Sequence, residues 1–150
     1  MRDRLAQELK AALKAQDKGR LGALRLISAA LQEREIAQKS DKLSEPEIAA
    51  VLQKMVKQRR DAFAIYSRAG RQDLADQEKS EIAVIEEFLP KQMGEDDAKA
   101  AIAAVIAEVG ASGPRDMGKV MAALKARYAG SMDFGTASGL VKALLAERSA

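Results

Sequence analysis

The chain of 150 residues has no cysteine, no histidine and no tryptophan, only three prolines, and aromatic residues at 3%. Each gap excludes something. Without thiols or imidazoles there is no disulfide, no transition-metal ligand set and no general base tuned to neutral pH. So few aromatics leave little on which splayed single-stranded bases could stack. Long apolar runs are missing too. Met1-Arg-Asp-Arg-Leu-Ala-Gln-Glu-Leu-Lys10 puts charges where a secretory leader needs an apolar stretch, and nothing approaches a membrane span. The chain therefore reads as cytoplasmic, with no membrane partner. It also lacks a Gly-x-Ser-x-Gly elbow and a Gly-x-x-x-x-Gly-Lys phosphate loop, and the pair Glu86 and Glu87 faces outward on a helix. No catalytic residue, cofactor or metal ligand is assigned.

What remains is rich in alanine and leucine with helical periodicity, and predicts an all-α fold. The first helix is expected from Asp3 to Gln16 with Leu5, Leu9, Ala12 and Leu13 on its stripe, and Asp17-Lys18-Gly19 as a turn. The second, Arg20 to Ala37, is apolar around much of its circumference, so it should lie between others, with Gly22 allowing a close backbone approach. Gly19-x-x-Gly22 has the spacing of a KH-type backbone clamp, but that loop needs a sheet beside it and no strand pattern is evident. Ser44-Glu-Pro-Glu47 is a capping box with proline in the first turn, and Gly70 is placed to close the helix it opens. Asp73 to Leu89 forms the fourth helix, ended by Pro90, and Lys91-Gln-Met-Gly94 reads as a hinge. Beyond it three shorter helices are expected: one from Glu95 to Val109, one capped by Ser112, and one from Thr136 after the loop Gly130–Gly135. The organisation is thus an N-terminal bundle of about four helices over residues 1–92 and a C-terminal three-helix subdomain over 93–150.

Charge is segregated along the chain. Residues 52–71 carry six basic groups against one acid, whereas residues 73–99 carry nine acids against three bases. At 100° per residue, Leu52, Met55, Val56, Ala62, Phe63, Tyr66 and Ala69 share one side of the third helix. Lys54, Lys57, Arg60, Arg68 and Arg71 fall within the opposite arc and read as a cationic ridge. Mixed charges that merely solvate helix faces are the alternative. Arg59 breaks the division by sitting on the apolar face; it calls either for an internal carboxylate, Glu78 or Glu81, or for a contact at the bundle edge. In the C-terminal subdomain, Gly118 early in its helix would let a phosphate approach unpaired amides, with Lys119 beside it as a mobile charge, unless the glycine serves tight helix packing instead. Lys125, Arg127 and Lys142 complete a second basic set.

The ordered combination Lys57-Gln-Arg-Arg-Asp61, Tyr66-x-x-Ala-Gly-Arg71, Glu81-Ile82 leading into Phe88-Leu-Pro-Lys91, Met117-Gly-Lys-Val-Met121 and Val141-Lys-x-Leu-Leu145 resembles the GatB/YqeY family. The C-terminal part is similar to the tail domain of the GatB component of aspartyl/glutamyl-tRNA amidotransferase, a module without the enzyme's catalytic machinery. The resemblance implies a non-enzymatic module that binds tRNA by shape and backbone, with no DNA partner expected. One loop departs from that pattern. Where the tail domain has glycine followed by a basic residue, Gly130 here precedes Ser131, Met132, Asp133 and Phe134. The alternative reading is an adaptor that docks an aminoacyl-tRNA synthetase or amidotransferase through the acidic segment Asp73–Asp97 or an exposed methionine-rich helix.

Overall fold

The computed structural model describes residues 1–40 and 42–149, the last without its side chain, and every regular element among them is helical. The helices are α1 (Arg2–Lys14), α2 (Lys18–Gln38), α3 (Glu45–Arg68), α4 (Gln72–Glu86), α5 (Glu95–Val109), α6 (Met117–Tyr128) and α7 (Phe134–Ser149), with a short 3-10 turn, Pro114–Asp116, before α6. The fold is all-α. The chain divides into two compact units, Met1–Pro90 and Lys91–Ala150. Gln92, assigned to the N-terminal subdomain on sequence, donates to the Gly130 carbonyl at 2.6 Å, and the Met93 amide donates to the Ser131 carbonyl at 2.8 Å. Half of the expected hinge is therefore held by the second unit.

In the first unit α2 touches α1, α3 and α4, as its broad apolar surface demands. Leu24, Ile27 and Leu31 from α2, Leu52 from α3 and Ile85 from α4 are fully buried at its centre. Several boundaries differ from the sequence reading, each for a local reason. Helix α2 starts at Lys18 because Asp17 caps it, accepting from the Arg20 amide at 3.1 Å, while Gln16 takes the left-handed turn at φ 55. The capping box at α3 is present in both directions: Glu47 N donates to Ser44 Oγ at 3.3 Å and Ser44 N donates to Glu47 Oε2 at 2.9 Å. Gly70, at φ 75, closes α3 as the Arg71 amide reaches the Tyr66 carbonyl at 2.9 Å.

Two expectations from periodicity fail at helix ends. Leu13, placed on the α1 stripe, is 60% exposed while Ala12 beside it is buried, because at 100° per residue it stands at the edge of the stripe that Leu5 and Ala12 define. On α3, burial stops at Val56: Ala62, Phe63 and Tyr66 are half-buried and Ala69 is exposed. Gly22 is exposed, and an added Cβ would meet nothing within 4 Å, so no backbone approaches it.

The second unit packs α5, α6 and α7 around Ile102, Val105, Ile106, Val120, Leu124, Val141 and Leu145. Its loops are built by side chains. Ser112 does not cap a helix; its amide donates to Asp116 Oδ2 at 2.9 Å, and the Pro114–Asp116 turn intervenes before α6. Asp133 caps α7, accepting from the Gly135 amide and the Thr136 hydroxyl at 3.0 Å each, so that helix begins at Phe134 rather than Thr136. Met132 beside it is buried in the core.

Candidate RNA-binding faces

The five residues of the expected ridge do not form one surface of equivalent cations. Lys54 and Lys57 are exposed on α3 and form no ion pair among the described residues. Arg60, in contrast, leans onto α4 and meets Glu86 at 2.9 Å. Arg71 lies past the left-handed Gly70, outside α3, and its guanidinium grips Asp73 through two hydrogen bonds of 3.2 Å. That arginine holds the Asp73 carboxyl below its ordinary value. Arg68 stays on α3, folded back so that Nε donates to the Ala64 carbonyl at 3.3 Å. The pairing has a simple origin. Helical periodicity places side chains on a wheel but takes no account of the acidic helix that follows, whose carboxylates draw the arginines nearest to them.

Arg59 shows the same logic in the interior. Its Nε donates to Glu81 Oε2 at 3.0 Å and one terminal nitrogen donates to the Met55 carbonyl at 3.2 Å; the two side chains are 15% and 17% exposed. Glu78 nearby is pushed above the ordinary 4.5, first by loss of water, then by the charge of Glu81, with Arg59 opposing. Two anchoring cations escaped the sequence reading. Arg20 on α2 meets Glu8 of α1 at 2.8 Å and Glu87 after α4 at 2.6 Å, tying three helices together. Arg4 stacks over the Phe88 ring at 4.7 Å. No periodic pattern identifies such pairs, because their partners are 12 to 84 residues away in sequence.

In the second unit Gly118 occupies the first turn of α6, exposed, with nothing within 4 Å of the place a Cβ would take. Close helix packing is therefore not the reason for a glycine there. No side chain caps that turn, since the Asp116 carboxylate points back to Ser112, whose amide holds it below its ordinary value. Lys119, Lys125 and Lys142 are exposed and without an ion pair among the described residues, whereas Arg127 is paired with Glu108. The extra acid in the departing loop, Asp133, is committed to capping α7. Met117 and Met121 are packed against the α5–α7 core, so α6 does not present an exposed methionine surface. Among the described residues there is no cluster of acids able to hold a metal ion, and no helix is long and apolar enough to cross a membrane.

Comparison with known proteins covers most of the chain. Two curated relatives are both called altered inheritance of mitochondria protein 41, mitochondrial. The protein from Kluyveromyces lactis is 32% identical over 84 residues, covering 56% of this chain and 45% of its own length. That from Vanderwaltozyma polyspora is 29% identical over 85 residues, covering 57% and 46%. The matched segment thus spans about half the length of these relatives. Residues 2–145 match the family described as YqeY-like protein, and on that extent of agreement the chain belongs to the YqeY-like family.

Proposed function

We propose that this protein is a non-catalytic RNA-binding module that takes folded tRNA, gripping phosphates through basic helix faces. One observation carries the reading: the fold sorts its cations. Arg20, Arg59, Arg60, Arg71 and Arg127 are joined to carboxylates, while Lys54, Lys57, Lys119, Lys125 and Lys142 stay exposed on helices and in no ion pair among the described residues. Lysines left this way can exchange bound counterions for phosphates at little structural cost. The first turn of α6, open at Gly118 and followed by Lys119, leaves the backbone accessible where a phosphate oxygen can come close. With no tryptophan and 3% aromatics, recognition falls on backbone and shape rather than on unstacked bases.

The test is fluorescence-anisotropy titration with folded tRNA, an RNA hairpin and a DNA duplex of matched charge, at low and near-physiological salt. Tighter binding of tRNA that persists at the higher salt is expected. Lys54→Ala and Lys57→Ala should each lower the slope of log affinity against log salt by about 0.9 if the contact is to a duplex backbone. Arg60→Ala should change it little, because Glu86 already holds that charge. Equal, salt-erased binding to all three nucleic acids would defeat the proposal.

A further inference from the structure

Between α2 and α3 the first unit has an open groove of about 700 Å³, whose apolar lining comes from Ala30, Ala37, Ala50, Val51 and Met55. Glu33, Arg34, Pro46, Glu47, Lys54 and Gln58 complete its lining, so the groove offers apolar wall beside charged groups and stays open to a protruding side chain from outside. Such a side chain stands on the same face of α3. Ile65 is 58% exposed, and at 100° per residue it lies within about 60° of Ala50, Val51 and Lys54. Along the helix axis it is about 22 Å from Ala50. The intervening surface carries Asp61, exposed and in no ion pair among the described residues, and Lys54, likewise exposed and unpaired.

The two complementary pairs share a centre. Ile65 and Ala50 are equidistant from a point between Lys57 and Gln58, and Asp61 and Lys54 are equidistant from that same point. A two-fold axis there, perpendicular to α3, lays a second copy antiparallel across the first. It brings each Ile65 over the partner's groove and each Asp61 to the partner's Lys54. A closed isologous contact requires this kind of self-complementarity, in which one patch holds both knob and hole and both acid and base. We propose that this face of α3 is a homodimer interface in the absence of RNA, with Ile65 seated in the groove of the second copy and Asp61 paired to its Lys54, so that a second copy and an RNA phosphate compete for that lysine.

Sedimentation equilibrium of the full chain without nucleic acid, over concentrations up to about 100 µM, tests the proposal. A reversible dimer is expected. Ile65→Glu should weaken association by at least roughly tenfold, and Ile65→Ser should weaken it in the same direction. Asp61→Lys and Lys54→Asp should each weaken it, while the double variant D61K/K54D should regain dimerisation, since the exchange restores both pairs. All these positions are exposed, so far-ultraviolet circular dichroism should show a wild-type fold in every variant. A monomer across the whole range would overturn the proposal, as would undiminished association of Ile65→Glu or failure of the double variant to recover.

Discussion

Replacing Gly118 by alanine separates a binding role from a structural one, because the two effects have opposite signs. The glycine lies in the first turn of α6, and the added Cβ would meet no atom within 4 Å, so no clash opposes the change. Glycine costs about 0.5–1 kcal/mol relative to alanine in a helix interior; in the first turn, where fewer hydrogen bonds depend on it, the lower end applies. A gain of about 0.5 kcal/mol in a unit of this size should raise its unfolding midpoint by roughly 2–4 °C. If a phosphate approaches the α6 amides at this point, the methyl group stands in its path. Loss of one charge-assisted contact of that kind should weaken tRNA binding about tenfold. The assay is thermal melting by circular dichroism together with anisotropy titration of the same preparation. A variant that melts higher and binds less follows from the reasoning; one that melts higher and binds as well as the parent refutes the backbone contact.

Two further perturbations concern the acidic side of the first unit. Arg59→Ala removes the partner of a mostly buried Glu81 and a donor to the Met55 carbonyl, and should cost about 2–3 kcal/mol in urea unfolding. Arg59→Met, which keeps the aliphatic packing, should still be destabilising, and parental stability in both variants would show that the pair contributes nothing. Glu78 acts in the other direction. Its carboxyl titrates above the ordinary 4.5, chiefly through burial, so the folded chain holds that proton more tightly than the unfolded chain. The associated stability is complete below the unfolded value and is lost as pH rises through the folded one. Glu78→Gln should therefore be more stable than the parent at neutral pH, with the difference shrinking as the solution is acidified towards the ordinary glutamate value. Parallel stability curves for the two proteins would contradict the assignment.

Elements that depend on near neighbours were legible before any packing was known. Helical class, the capping box at Ser44 and Glu47, closure of α3 at Gly70 and the start of α5 at Glu95 all follow from spacings of four residues or fewer, and the structure holds each of them. The need of Arg59 for a carboxylate was legible as well, since a charge on an apolar face must be compensated; the choice of Glu81 over Glu78 was not. Which cations remain available was settled by packing. Arg60 shares the wheel position of Lys54 and Lys57, yet it ends on Glu86 because α4 folds back along α3, whereas Arg71 past the helix end meets its near neighbour Asp73. Leu13 and Phe63 are placed on apolar stripes by the wheel, yet packing leaves the first exposed and the second only half-buried. Burial and the pairing of Arg20, Arg59, Arg60 and Arg127 are set by what lies across the contact, and the residues across it are distant in sequence. Local chemistry therefore shaped the helices, and only their packing divided the surface into paired arginines, open lysines and an unfilled groove.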